Sequence, residues 1–341
     1  MLMYNNRFCF RYLNMDRWNG ILRVPLSTNS NSLYKVAASL CVSRFTGRLA
    51  VPSANAIFFS GDRVEGSGNP VIERLSDLQR IADILVSNFG NSVNAWVVEA
   101  ATFNGPFAVF KDFIPTVNEY GEPKLYDASE CSASLSTVLL LKSCLKEAKS
   151  AIAGEVKGPF QSNLSSSPPF RMRTILLGFS KGGTILNQLI AELSYSEVLS
   201  KQDLIEASTE IGNGNITAWE DQIIPTSKDS FLNSISEIHY VDVGLNSTGA
   251  YLNDRDAIQR IYERLKQGAS GIRFLFHGTP RQWHDERRIW IHKEKDELIR
   301  LLKEAARDNL GRLAVHERLY FAGIPPNLQM HFEIIEHLDV S

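Results

Sequence analysis

Residues 171–193 read RMRTILLGFSKGGTILNQLIAEL. Thr174, Ile175, Leu176 and Leu177 form a short apolar, partly β-branched run, as in a strand buried on both faces of a parallel sheet. Gly178-Phe179-Ser180-Lys181-Gly182 then fits G-x-S-x-G. Behind it, Ile185, Leu186, Leu189, Ile190 and Leu193 recur at helical spacing and make one apolar stripe. Strand, G-x-S-x-G and helix in that order are the context of a nucleophile elbow, a serine on a sharp strand-to-helix turn. Such a turn strains the serine backbone, often into positive φ. Gly178 and Gly182 are expected where side chains would collide as strand and helix cross. With 22 glycines in 341 residues, the bare pattern arises by chance about 0.15 times in this length, so the weight rests on its flanks. The plainer alternative is a glycine-rich turn without chemistry.

Outward from this unit, strands are expected over 16–26, 34–43, 55–60 (NAIFFS), 92–100 (SVNAWVVEA), 236–243, 271–277 and 313–321. Helices are expected over 71–89, 132–152, 254–266, 287–307 and 331–338, each carrying apolar residues at helical spacing. Residues 27–32 read as a polar surface loop, and 158–170, with Ser165-Ser166-Ser167-Pro168-Pro169, as a flexible connection. Segment 102–122 is irregular and aromatic, with Phe103, Phe107, Phe110 and Phe113. Residues 195–234 are polar, contain Gly212, Gly214 and Pro225, and read as an insertion, a candidate lid or loop. Alternating strands and helices imply a mostly parallel sheet covered on both faces. The expectation is an α/β-hydrolase fold: one domain over 1–341, opened by N-terminal strands within 1–54.

Composition narrows the function. A net charge of −2 gives no reason to expect nucleic acid or an anionic membrane surface as partner. The four cysteines, Cys9, Cys41, Cys131 and Cys144, show neither C-x-x-C pairing nor zinc spacing and read as free thiols in a reducing compartment. No apolar run is long enough to span a bilayer. No G-x-G-x-x-G or P-loop pattern occurs, so no cofactor is expected. His277, His284, Asp285 and His292 are close in sequence but match no metal template, so no metal is expected. The N-terminus carries Arg7, Arg11 and Arg17 against Asp16 alone, which suits either a mitochondrial presequence or an ordinary strand with a ragged start. It lacks a secretory apolar segment. The expected location is intracellular, mitochondrial or cytoplasmic, and not secreted.

A serine hydroxyl needs a base to take its proton and an acid to orient that base. In hydrolase order these follow as Ser, Asp or Glu, His. His331, after the last strand and at the start of the final helix, is the leading base; His337, His277 and His284 stand in reserve. Asp285, in the loop after strand 271–277, is the first choice of acid, and its competing role is to cap the helix that follows. Asp242, at the end of the preceding strand, is the alternative. The oxyanion hole would use the backbone N–H of Lys181 and that of Gly61 or Asp62, after strand 55–60.

These residues carry a resemblance. Phe58-Phe59-Ser60-Gly61-Asp62, the G-F-S-K-G stretch with Leu186-Asn187-Gln188-Leu189, and Asp242 resemble segments of a eukaryotic family of α/β-hydrolase-like proteins. Its human member is a mitochondrial protein named for its open reading frame on chromosome 2. Thr279-Pro280 through Asp285, Arg288, Trp290-Ile291, Lys293-Glu294 and His331-Phe332 are similar too, so the resemblance runs from about Ile57 to the C-terminus. It implies a serine hydrolase of esterase or lipase type. Two functions follow as expectations. One is a serine hydrolase that cleaves a small acyl ester, thioester or lipid-like substrate through an acyl-enzyme on Ser180. The other is a catalytically inactive hydrolase fold retained for binding or scaffolding in metabolic regulation.

Overall fold

A computed structural model describes residues 15–26, 32–155, 172–198, 222–307 and 311–341. The residues of the presequence question (1–14), the connection 158–170, most of the polar run 27–32 and the middle of the insertion 195–234 lie outside them.

One eight-stranded sheet forms the frame, in the order β1-β2-β4-β3-β7-β8-β9-β10. Strands β1 (Met15–Pro25) and β2 (Leu33–Ser43) pair antiparallel, and β2 pairs antiparallel with β4 (Val93–Glu99). From β4 onward every neighbour is parallel: β3 (Ala54–Phe59), β7 (Arg173–Phe179), β8 (Ile235–Val241), β9 (Ile272–Gly278) and β10 (Leu313–Leu319). Strand β7 occupies the fifth place, with parallel partners on both sides. Its alternating side chains enter two cores. Leu176 packs on one face with the helices 132–155, 183–195, 255–266 and 289–306; Ile175, Leu177 and Phe179 pack on the other with 70–75, 78–89 and 328–333. This order and two-sided cover are the α/β-hydrolase fold.

Among the described residues the helices are α1 (Pro70–Leu75), α2 (Leu78–Phe89), α3 (Ser132–Glu155), α4 (Gly183–Tyr195), α5 (Lys228–Ser234), α6 (Arg255–Lys266), α7 (Pro280–Trp283), α8 (Ile289–Ala306) and α9 (Leu328–Glu333). Three differ from the sequence expectations. The helix expected over 71–89 is two, because Asp77 adopts extended backbone and caps α2 by accepting from Gln79 N at 2.9 Å. Residues 222–234 belong to the core rather than an insertion: Phe231 and Leu232 are buried, and Asn55 Nδ2 donates to Ile223 O at 2.9 Å. The last helix starts at Leu328, capped by Asn327, so His331 lies within it. Segment 102–122 also contains a short hairpin, β5 (Thr102–Asn104) with β6 (Phe107–Val109).

The helix behind the elbow is held by buried polar bonds as well as apolar packing. Asn187 accepts from Tyr240 OH at 2.7 Å and donates to Ala250 O at 3.0 Å. Glu192 accepts from the N–H groups of Ala133 and Ser134, both at 2.8 Å, where α3 begins. Unpaired, each of these buried groups would cost about 1–3 kcal/mol, so the pairs fix how α4 lies against its neighbours.

Candidate active site

Ser180 follows the last residue of β7 and has φ +53°. That left-handed backbone is rare for a side-chain-bearing residue and costs on the order of 1–3 kcal/mol, so the surroundings must impose it. Glycines allow this. A Cβ on Gly178 would stand 2.7 Å from Gly183 Cα, where strand and helix cross. On Gly182 it would stand 2.1 Å from Phe59 O, so Gly182 clears the end of the neighbouring strand rather than its own. Ser180 is 9 % exposed, and its hydroxyl makes no side-chain hydrogen bond among the described residues.

The loop after β3 lies against this serine. A Cβ on Gly61 would fall 2.5 Å from Ser180 Cβ and 3.1 Å from Oγ, so only glycine lets the backbone approach so closely. Ser60 N donates to Val98 O at 2.9 Å, but no backbone carbonyl among the described residues accepts from Gly61 N or Asp62 N. Lys181 N lies in the first turn of the helical segment behind the serine, where N–H groups have no intrahelical acceptor. The three N–H groups expected at the oxyanion position are thus uncommitted or in a donor-rich turn.

His331 Nδ1 lies 2.7 Å from Asp242 Oδ2, and both residues are buried. The imidazole also packs on the ring of Phe179, the residue before Ser180, at 4.6 Å between centroids, and edge-on to Phe332 at 5.5 Å. With Nδ1–H donated to the carboxylate, Nε2 is the free acceptor. Asp242 is itself held by four bonds. Its Oδ1 accepts from Thr279 N at 2.7 Å and its Oδ2 from Thr279 Oγ1 at 2.9 Å, beside the bond from His331; its N donates to His277 O at 2.7 Å. Its φ of +45° is a second strained backbone at the same sheet edge.

The acid expected first, Asp285, is not the residue at the imidazole. Its Oδ1 accepts from Arg287 N at 2.9 Å and its Oδ2 from Arg288 Nε at 2.8 Å. Burial raises this carboxyl, but the bonds to Arg288 and Arg287 outweigh it and leave the pKa below its ordinary value. The capping role therefore describes Asp285, and Asp242 takes the place beside His331. Of the reserve histidines, His277 is occupied by His239 at 3.1 Å and Tyr320 at 2.9 Å. His284 and His337 are exposed. Sequence reasoning names Thr279 only within the family-like stretch and gives it no role at the site; a further signal was its place directly after β9, ahead of Pro280. Among the described residues, no group of three or more His, Cys, Asp or Glu side chains is arranged to hold a metal ion.

Sheet order, elbow, and an Asp–His pair whose members follow the sixth and eighth strands in sheet order make this a chain of the α/β-hydrolase class. Within that class the chain belongs to the C2orf69 family, whose family model matches residues 127–307, more than half of the sequence. Curated relatives include the mouse mitochondrial protein C2orf69 homolog, 30% identical over 161 residues that make up 47% of this chain and 34% of the mouse protein. The human mitochondrial protein C2orf69 is 24% identical over 295 residues, 76% of this chain and 66% of that protein. The chain thus spans about one third to two thirds of the length of these relatives. Looser likenesses reach solved structures. The siderophore hydrolase EstB of Aspergillus nidulans shows 12% identity and a TM-score of 0.44, covering 94% of this chain and 92% of its own. Esterase 2 of Thermogutta terrifontis, phosphorylated by paraoxon, shows 8% identity and a TM-score of 0.41, covering 93% and 91%.

Proposed function

We propose that this chain is a serine hydrolase that cleaves acyl ester or thioester bonds through an acyl-enzyme on Ser180. The observation that carries the reading is the Asp242–His331 pair, packed on Phe179 beside a serine whose backbone is strained to positive φ. His331 Nε2 takes the proton of Ser180 as Oγ bonds to the substrate carbonyl carbon. The carbonyl oxygen becomes an oxyanion facing the N–H of Lys181 and that of Gly61 or Asp62. Collapse breaks the bond to the leaving alkoxide or thiolate, which receives the proton from Nε2. Water repeats the cycle and releases the acid. Asp242 keeps the proton on Nδ1 and stabilises the imidazolium. The substrate class is a small acyl ester or a lipid-like ester, and residues 1–341 act as a single domain.

The test is covalent labelling by a fluorophosphonate probe, which requires an activated serine. Wild type should label and Ser180→Ala should not. Labelling that persists in Ser180→Ala sinks the assignment, as does a wild type that stays unlabelled while folded. The free Ser180 hydroxyl favours one second reading, a binding or scaffolding protein in metabolic regulation, which an unlabelled wild type would support; in unliganded hydrolases the serine–histidine bond often tightens only with substrate. The proposal extends to location. Relatives bear the word mitochondrial in their names, and no helix among the described residues is long and apolar enough to cross a membrane. Recovery of the expressed protein outside the mitochondrial fraction would remove that part.

A further inference from the structure

Lys181 has a buried charge that the proposed mechanism leaves without a task. Its ammonium lies 2.8 Å from Asp62 Oδ1, donates to Tyr120 O at 2.7 Å and stands 4.8 Å over the ring of Phe107; the residue is 2 % exposed. A lysine so placed is costly to desolvate, and removing one partner of such a pair costs more than removing both. Its three partners come from three separate segments: the loop after β3, the turn 118–121 and strand β6.

Those segments lock onto one another. Asp62 Oδ1 also accepts from Ala108 N at 2.8 Å, and Arg63 N donates to Pro106 O at 2.9 Å. The Arg63 guanidinium lies 3.8 Å over the ring of Phe103, and its side chain forks onto Glu99 at 3.1 and 2.8 Å. Tyr120 packs edge-on to Phe107 at 5.3 Å. A Cβ on Gly121 would meet Ala108 O at 2.0 Å, so the turn is pressed directly on the hairpin. Hairpin β5–β6 is therefore docked on loop 61–63 through one main-chain bond, the bond to Asp62 and the Arg63–Phe103 contact, and Lys181 joins the two through Asp62 and Phe107.

Lys181 carries one of the backbone N–H groups that face the oxyanion in the proposed mechanism, and Asp62 belongs to the Gly61-Asp62 pair that supplies the other. The side chains of Lys181 and Asp62 bond directly to each other and so tie the two segments together. We infer that the Lys181–Asp62 ion pair is a clamp that sets the spacing between the two halves of the oxyanion hole, with hairpin β5–β6 as its brace. Lys181 is then a positioning residue, and its charge is neutralised by Asp62 rather than offered to substrate. Oxyanion donors act only when pre-aimed, so loosening the clamp lowers the rate of attack on bound acyl group and leaves ground-state binding intact. This inference rests on the serine hydrolase reading.

The experiment measures fluorophosphonate labelling against probe concentration in the full chain, for wild type, Lys181→Met and the double variant K181M/D62N. The double variant removes both charges and so leaves none buried alone, which keeps the test usable where the single variant fails to fold. Thermal unfolding is recorded in parallel. The expected result for the double variant is a labelling rate at saturating probe reduced about 10-fold or more, with the half-saturating concentration unchanged within about twofold. Labelling of the double variant at the wild-type rate overturns the clamp and leaves the hydrolase reading standing. Equal losses in saturating rate and half-saturation, together with a lowered melting midpoint, reduce Lys181 to a packing role and overturn it too. A folded wild type that takes no label fails at the earlier step, the assignment of Ser180.

Discussion

The two halves of the candidate site are built in opposite ways. The nucleophile half is local: Gly178, Ser180 and Gly182 lie within five residues, between a strand and the helix that follows it. The acid–base half is assembled from distance. Asp242 and His331 are 89 positions apart, and Thr279 reaches the same carboxylate from a third loop. The elbow is held by steric necessity, since a Cβ at Gly178 or Gly182 would overlap backbone. The Asp–His pair is held by hydrogen bonds that could be deleted one at a time with little change in volume. The first half should therefore fail by misfolding when altered, and the second by losing rate while staying folded.

The largest effect that tests this contrast is expected at the acid. On the proposed mechanism Asp242→Asn keeps the shape of the side chain but loses control of the imidazole tautomer, and the labelling rate or ester turnover should fall by about 10³-fold or more. Asp285→Asn should leave the rate within about twofold, because among the described residues that carboxylate bonds to Arg287 N and Arg288 and not to His331. Paired kinetics on the two variants decide between the acids. Equal losses would break the assignment of Asp242.

A smaller effect is expected from Thr279→Val, which is nearly isosteric and removes only the bond from Oγ1 to Asp242 Oδ2. One hydrogen bond to a buried carboxylate contributes about 1.5–3 kcal/mol, and the bond from Thr279 N remains. The expected outcome is a rate loss of about 10-fold with KM little changed, recovered in Thr279→Ser. A KM rise with kcat unchanged would instead place Thr279 in substrate binding and remove it from the acid–base half.

The same contrast explains what could be read from the chain beforehand. Strand–turn–helix order is local information, so β7, the elbow and α4 were legible, as was the parallel sheet implied by repeated alternation. The choice between Asp285 and Asp242 was not. Both follow strands, and what separates them is a bond to His331 in one case and to Arg288 in the other, which no spacing reports. The break between α1 and α2 turned on Asp77 serving as a cap while apolar spacing ran straight through it: Leu75 and Leu78 are both buried. Asn187 and Gln188 follow the elbow in the family-like stretch, yet Asn187 bonds to Tyr240 and Ala250 and Gln188 to Glu192, which locks the helix rather than forming part of the reacting group. Lys181 lay inside the motif as a variable position, and its partner Asp62 is 119 residues away in sequence.

The smallest expected effect is on stability, and it falls on the acid–base half alone. His277, whose carbonyl holds Asp242 N, is buried against His239, which in turn faces Glu237; Tyr320 closes the other side, and Arg273 and Arg318 add positive charge nearby. Burial, then the neighbouring His239 and Arg318, hold the His277 pKa well below its ordinary value; burial likewise lowers that of His239 despite Glu237. A base whose folded pKa is depressed stays neutral while the unfolded chain takes up a proton. Its contribution is therefore complete above the unfolded value, about 6.5, and is lost as pH falls below it, by at most about 1.4 kcal/mol per pH unit for each group. The melting midpoint should drop between pH 7.5 and 5.5, and the drop should be shallower in His277→Gln, which keeps a polar side chain but cannot titrate. An equally steep drop in that variant would mean that the acid sensitivity arises elsewhere.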